Sequence, residues 1–255
     1  MINILTDLNG KTFLVAGASS GIGAATAEYL SDCGCRLVLV ARRIEKLNEV
    51  KDRLKGEGHT VYSYDFSDLS GIELLIKKII EENGLLDGLV FSVGQPVTRP
   101  LKVLKPDFML DAMKINFLSF IELIRCCTNK KNANPESFSV VAVSSLSSMQ
   151  GNQAKTAYSA TKGALDASIR CLAKEFSSRN MRFNTVNPAW VKTDIYDNHI
   201  ENAGESEDFK EILNRQYMGI ISPSDIAKTI AFLLSDSSHY ITGQNIPVDG
   251  GRLSS

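Results

Sequence analysis

No stretch of this chain stays apolar over the roughly 20 residues that a membrane helix requires, so a spanning segment is not expected. Charge of one sign is not in excess either: 28 lysines and arginines stand against 29 aspartates and glutamates. That balance, spread along the chain, offers neither the basic stripe of a nucleic-acid surface nor a polybasic membrane patch. Histidine is scarce, and His59, His199 and His239 show no ligand spacing. The five cysteines, Cys33, Cys35, Cys126, Cys127 and Cys171, fall in C-x-C and C-C spacings that match no zinc or redox motif. No metal site is expected, and the thiols read as small buried apolar residues of a reducing compartment. The first residues, MINILTDLNGK, lack a charged region ahead of an apolar core, so no secretory leader and a cytoplasmic location are expected. Internal repeats and low-complexity stretches are absent.

What is present is an ordinary globular composition, 44% hydrophobic in 255 residues, enough for a large core. Short β-branched runs alternate with helical patterns. Strands are expected at TFLVAG (12–17), RLVLVAR (36–42), HTVYSYDF (59–66), LDGLVFSVG (86–94), SFSVVAVSS (137–145), MRFNTVNP (181–188) and GQNIPVDGG (243–251). Between them lie helices, among them one from Gly21 to Gly34, one from Glu45 stopped at Gly56, one ending before Gly84, and one over PSDIAKTIAFLLSD (223–236). The strands are nearly continuous in apolar residues, which argues for a sheet covered on both faces. Strand–helix alternation predicts right-handed βαβ units and a Rossmann-type, doubly wound parallel α/β sheet of about seven strands in a single domain, 1–255. One polar stretch without a strand, roughly 190–220, has the length and composition of a substrate lid.

In such a sheet ligands sit at the carboxyl ends of the strands. The first strand-to-helix turn holds Gly17, Gly21 and Gly23 around small residues, a place where backbone N–H groups and a helix N-terminus can approach a pyrophosphate. Tyr158 and Lys162 are four apart in AYSATKGAL, hence side by side on one helix face. At the end of the second strand no acidic residue is available for the adenosine ribose; Arg42 stands there instead, where a guanidinium can bind a 2′-phosphate, with a hydroxyl from Ser19 or Ser20. Arg43 reads as solvated, or as stacked on the adenine. NADP(H) is therefore the preferred cofactor, with NAD(H) also admitted.

AGASSGIG together with YSATK resembles the classical branch of the short-chain dehydrogenase/reductase family, over essentially the whole chain. The resemblance implies an NADPH-dependent oxidoreductase that moves a hydride between the nicotinamide and a carbonyl or secondary alcohol. It implies Tyr158 as acid/base, Lys162 lowering its pKa and binding the ribose, Ser145 polarising the substrate oxygen, and Asn116 holding a proton-relay water. Ser144 competes for the serine role, but the thirteen-residue spacing to Tyr158 favours Ser145. The cofactor residues it implies add Ile22, Asp65 and Phe66 near the adenine, Ser92 and Gly94 after the fourth strand, and Pro188, Val191 and Thr193 beside the nicotinamide. FSVG replaces the family's N-N-A-G, and Ala189 its N-P-G glycine. The enoyl branch spaces its tyrosine and lysine more widely than this chain does.

The general pattern is nearest to the 3-oxoacyl-acyl carrier protein reductases, with Arg179 where those enzymes carry one docking arginine. Ser147, Gln150, Gln153 and Trp190 are expected to line the substrate pocket, Trp190 either as a wall or as a packing residue. The partners expected are a small carbonyl or alcohol substrate and further copies of the chain, as a homotetramer or homodimer through the helices around 107–130 and 156–178. A non-catalytic NADP-binding sensor or scaffold is the reading from another class.

Overall fold

Strand β1 (Thr12–Ala16) is fully buried, and both of its neighbours run parallel to it. The computed structural model describes residues 6–203, 211 and 213–254. From β1 the chain passes through helix α1 (Gly21–Asp32) to β2 (Arg36–Ala41), then α2 (Ile44–Lys51), β3 (Thr60–Ser63) and α3 (Ile72–Asn83). It then crosses to the other side of β1 and continues as β4 (Gly88–Phe91), α4 (Pro106–Met113), α5 (Ser119–Cys127), β5 (Phe138–Val143), α6 (Thr156–Glu175) and β6 (Met181–Pro188). Helices α7 (Asp194–Ala203) and α8 (Pro223–Leu234) precede the edge strand β7 (Asn245–Val248). The seven strands are all parallel, in the order β3-β2-β1-β4-β5-β6-β7, a Rossmann-type sheet with helices on both faces. The reversal of strand order between β1 and β4 is the switch point, where the loops after the two strands part and leave a crevice.

Alternation along the strands divides the core. Leu14, Val38, Leu89, Val140 and Phe183 face α3, α5 and α6, and join one apolar cluster with Phe120, Leu165 and Ile169. Phe13, Val15, Leu37, Val90 and Val141 face the other way and pack with Ala27, Leu30, Ile226 and Ile230 of α1 and α8. Near-continuous apolar strands are what this two-sided burial requires.

Some expectations are corrected. Helix α2 ends at Lys51, not at Gly56: the amides of Arg53 and Leu54 bond three residues back, closing the helix in tight turns. Arg53 instead reaches Glu28 of α1 at 2.7 Å, and Leu54 packs against the core. The polar stretch after β6 carries α7; its residues 204–210 and 212 lie outside the described residues. Cys171 is exposed, on the outer face of α6, whereas the other four cysteines are buried. Burial pushes the thiols up, Cys35 to about 12 and Cys126 to about 11, as inert apolar packing groups would be. No helix among the described residues is long and apolar enough to cross a membrane.

Between α4 and α5 the helix makes one π turn, Lys114–Leu118. Such single-turn bulges often mark functional sites, and this one carries Asn116 inward to full burial.

Candidate active site

Gly17 follows β1 with φ +86, and a side chain there would collide with the Ser92 carbonyl at 2.6 Å. The amide of Ser92 in turn donates to Ala16 at 2.8 Å, so the ends of β1 and β4 are tied together at the switch point. A Cβ on Gly23 would lie 2.2 Å from the Gly17 carbonyl oxygen. Helix α1 therefore backs directly against the turn, and its first N–H groups face the crevice without a side-chain cap. This is a cradle that only glycine leaves open, and it fits a dinucleotide pyrophosphate.

Beside the cradle the two arginines are placed differently. Arg43, not Arg42, bridges the turn: its Nη2 donates to Ser19 Oγ and Ser20 Oγ, both at 3.1 Å. Arg42 faces Asp65, whose carboxyl is held below its usual range first by the Ser67 amide at 2.9 Å, with Arg42 adding its charge. The backbone at Arg43 (φ −90, ψ 97) turns its side chain back over the loop.

On α6, Tyr158, Lys162 and Asp166 recur every fourth residue and form one stripe. Lys162 is buried, donates to the Val143 carbonyl at 2.8 Å, and has its pKa brought down to about 8 by burial, against the opposing charge of Asp166. A side chain on Gly94 would crowd Lys162 Nζ at 3.3 Å. The Tyr158 hydroxyl and Ser145 line the same cavity and are near enough to influence one another. Burial pushes the phenol above its usual pKa, and Ser145 pulls it partly back. The expected lowering by Lys162 is thus not the governing effect: the ammonium is turned to Val143, with Nζ 5.8 Å from the ring centroid.

Ser145 closes β5 in extended backbone, its Oγ accepting from the Ser147 amide at 3.1 Å. The rival Ser144 is buried and spends its hydroxyl on the Lys162 carbonyl. Beneath Ser145 lies a network that the sequence reading missed. Asp166 accepts from Thr185 Oγ1 at 3.0 Å and from Asn187 Nδ2 at 2.7 Å. Ser148 Oγ lies 2.5 Å from the same carboxylate and 2.7 Å from the Ser145 carbonyl. Asn116 clips the loop after β4: its Oδ1 accepts from the Gln95 amide at 2.8 Å, and its Nδ2 donates to the Gln95 carbonyl and Thr161 Oγ1, each at 3.1 Å. Both amide hydrogens are engaged within the protein.

One cavity of about 1110 Å³ joins these parts. Of the candidate catalytic, cofactor and substrate-pocket residues, only Gly23, behind the turn, and Asn116, beneath Gln95, do not line it. Ser147, Gln150, Gln153 and Trp190 do. Trp190 is a wall, set edge-on to Tyr196 at 6.1 Å, with its backbone clamped by Gln216 at 3.1 and 3.0 Å. Lys155, Arg215 and Arg252 also line the cavity and were not anticipated. Arg179, the candidate docking residue, lies elsewhere: it donates to the Thr128 carbonyl at 2.6 Å and stacks on Phe176.

Residues 17–252 match the sequence model of the family described as Enoyl-(Acyl carrier protein) reductase. The chain is 32% identical over 254 residues to a 3-oxoacyl-[acyl-carrier-protein] reductase of Rickettsia conorii, covering 98% of this chain and 99% of that one. Among solved structures it is similar to a short-chain dehydrogenase/reductase of Brucella melitensis described as a glucose/ribitol dehydrogenase (27% identity, TM-score 0.88, covering 96% and 98% of the two chains). It is also similar to a variant of actinorhodin polyketide ketoreductase solved with NADPH (25% identity, TM-score 0.85, covering 95% and 97%).

Proposed function

The chain belongs to the short-chain dehydrogenase/reductase family of NAD(P)-dependent oxidoreductases, and we propose that it reduces a small ketone with NADPH as a single catalytic domain. The observation that carries this reading is the convergence of Tyr158 and Ser145 on the wall of one cavity, with Lys162 buried behind them. A nicotinamide cofactor held against the glycine turn supplies the hydride. Tyr158 gives its proton to the carbonyl oxygen as negative charge gathers there. A phenol kept protonated by burial is suited to that task, because it holds its proton until the far more basic alkoxide develops. Ser145 donates a second hydrogen bond to the same oxygen. Lys162 holds the nicotinamide ribose, and Asn116 braces Gln95 and with it the loop after β4. Pro188, Val191 and Thr193 flank the nicotinamide. Commitment of Arg179 to Thr128 favours a small free ketone over a carrier-bound acyl group. A panel of ketones and alcohols, read by cofactor absorbance, tests the reaction. A chain that shifts NADPH fluorescence yet oxidises NADPH with no carbonyl would be a binding protein, and the proposal would fail.

The same reading assigns the 2′-phosphate of NADPH to Arg43, with Ser19 and Ser20, while Arg42 and Asp65 flank the adenosine. A charge-assisted hydrogen bond of roughly 1.5–3 kcal/mol corresponds to about tenfold to a hundredfold in affinity. NADPH is expected to exceed NADH by about that ratio in kcat/KM, most of it lost in Arg43→Ala and a smaller part in Arg42→Ala. Equal use of NADH by the wild type would refute the assignment.

We further propose a homotetramer built through the helices around 107–130 and 156–178. Leu101, Leu110 and Leu118 are exposed near the first of these, as a covered face would require. Light scattering at micromolar concentration checks this, and a monomer mass would contradict it.

A further inference from the structure

Two ammonium groups lie near the Tyr158 ring: Lys162 Nζ is 5.8 Å from its centroid and Lys155 Nζ 5.7 Å. The first lysine belongs with the cofactor end of the cavity. The second is the N-cap residue of α6, lines the same cavity, and donates to Thr98 in the loop after β4.

The two lysines are compensated differently. Lys162 has the field of Asp166 and the Val143 carbonyl. Lys155 is half-buried, donates to the neutral hydroxyl of Thr98, and has no carboxylate within ion-pair distance among the described residues. Burial alone moves its pKa, downward, with no charge opposing the shift. The first turn of α6 holds no acidic residue, and its N-terminus adds positive potential to the same spot. Other cations along the cavity have counter-charges: Arg42 faces Asp65, Arg215 pairs with Glu211 at 3.2 Å, and Arg252 is near Asp249. Arg43 is the comparable case at the nucleotide end, a cation set among hydroxyls where an anion of the cofactor would lie.

A partly desolvated ammonium without a counter-ion is unfavourable, and an incoming anion relieves that cost. A single point charge matches a monoanion; a phosphate is better served by a forked guanidinium. We propose that the substrate is a keto acid whose carboxylate, a few bonds from the reacting carbonyl, is bound by Lys155. This deepens the ketone-reductase reading and rests on it for the word substrate, though not for the binding site.

Acetoacetate and levulinate, each beside its methyl ester, provide the test. With NADPH the acid is expected to exceed its ester in kcat/KM by about tenfold or more for at least one pair, the value of one charge-assisted hydrogen bond. Lys155→Met should bring that ratio close to one, and Lys155→Arg should keep most of it. A second readout needs no turnover: levulinate titrated into the NADP⁺ complex, where no ketone can be reduced, followed by fluorescence of Trp190, the single tryptophan and a wall of the cavity. Quenching by levulinate in the wild type, lost in Lys155→Met, supports the site even if no ketone proves to be reduced. Acid and ester used equally by the wild type, or an acid preference that persists in Lys155→Met, overturns the inference and leaves ketone reduction standing.

Discussion

Tyr158→Phe is expected to slow ketone reduction at least about a hundredfold, the lower range for loss of a general acid, while NADPH binds with nearly unchanged affinity. The substitution removes one hydroxyl and leaves the ring in place near Lys155 and Lys162, so the walls of the cavity persist. What disappears is the proton donor and its interaction with Ser145. The direction of the tyrosine shift also sets a pH dependence in the wild type. Burial raises the phenol above its ordinary value, so the protonated form, which reduction needs, is fully present below that raised pKa. Reduction should therefore keep its acid across neutral pH. Alcohol oxidation needs the phenolate and should gain rate as pH rises. Stopped-flow reduction together with a fluorescence titration of NADPH separates chemistry from binding. Near-normal turnover in Tyr158→Phe would dismiss Tyr158 as the acid.

The parts of this molecule that the sequence discloses are those governed by local rules. Apolar strands such as RLVLVA can be buried on both faces only in a sheet covered by helices, and β2 is found where the run predicts it. The Tyr158–Lys162 spacing fixes a shared helix face whatever the rest of the chain does. Legibility fails where a tertiary contact decides. The end of α2 depends on Arg53 finding Glu28 of another helix. Whether Arg42 or Arg43 turns over the glycine loop depends on two dihedral angles at the end of β2, and no residue type encodes them. Lys155 is indistinguishable in sequence from a solvated lysine; only the absence of a neighbouring carboxylate in three dimensions sets it apart. Asp166 continued the four-residue spacing of Tyr158 and Lys162, yet a carboxylate on a helix ordinarily reads as a solvated face, and its burial had no local sign.

Asp166→Ala is expected to combine a loss of stability with a loss of turnover. The carboxylate accepts from Thr185 and Asn187 and lies against Ser148, all within a buried layer between α6 and β6. Removing it takes away the acceptor that these three groups share, and the opposing charge from the neighbourhood of Lys162. Loss of a hydrogen bond to a charged acceptor costs about 1.5–3 kcal/mol, so losing two corresponds to about 3–6 kcal/mol. For a chain of this size the melting temperature should fall by about 10 °C, at about 2–4 °C per kcal/mol. Catalysis should suffer by another route. Asn187 Nδ2 reaches both Asp166 and Ser148 Oγ, and Ser148 Oγ in turn reaches the Ser145 carbonyl, so the carboxylate fixes the loop from which the Ser145 hydroxyl projects. A displacement of about 1 Å at a reacting group can cost about a hundredfold in rate. Turnover measured well below either melting point should fall by that order, while NADPH affinity stays close to wild type, a split that general loosening of the fold would not produce. Because the effect runs through shared hydrogen bonds, Ser148→Ala added to Asp166→Ala should lower the rate little further. Should Asp166→Ala melt within about 2 °C of the wild type and turn over at the wild-type rate, this carboxylate is not what holds Ser145 in place.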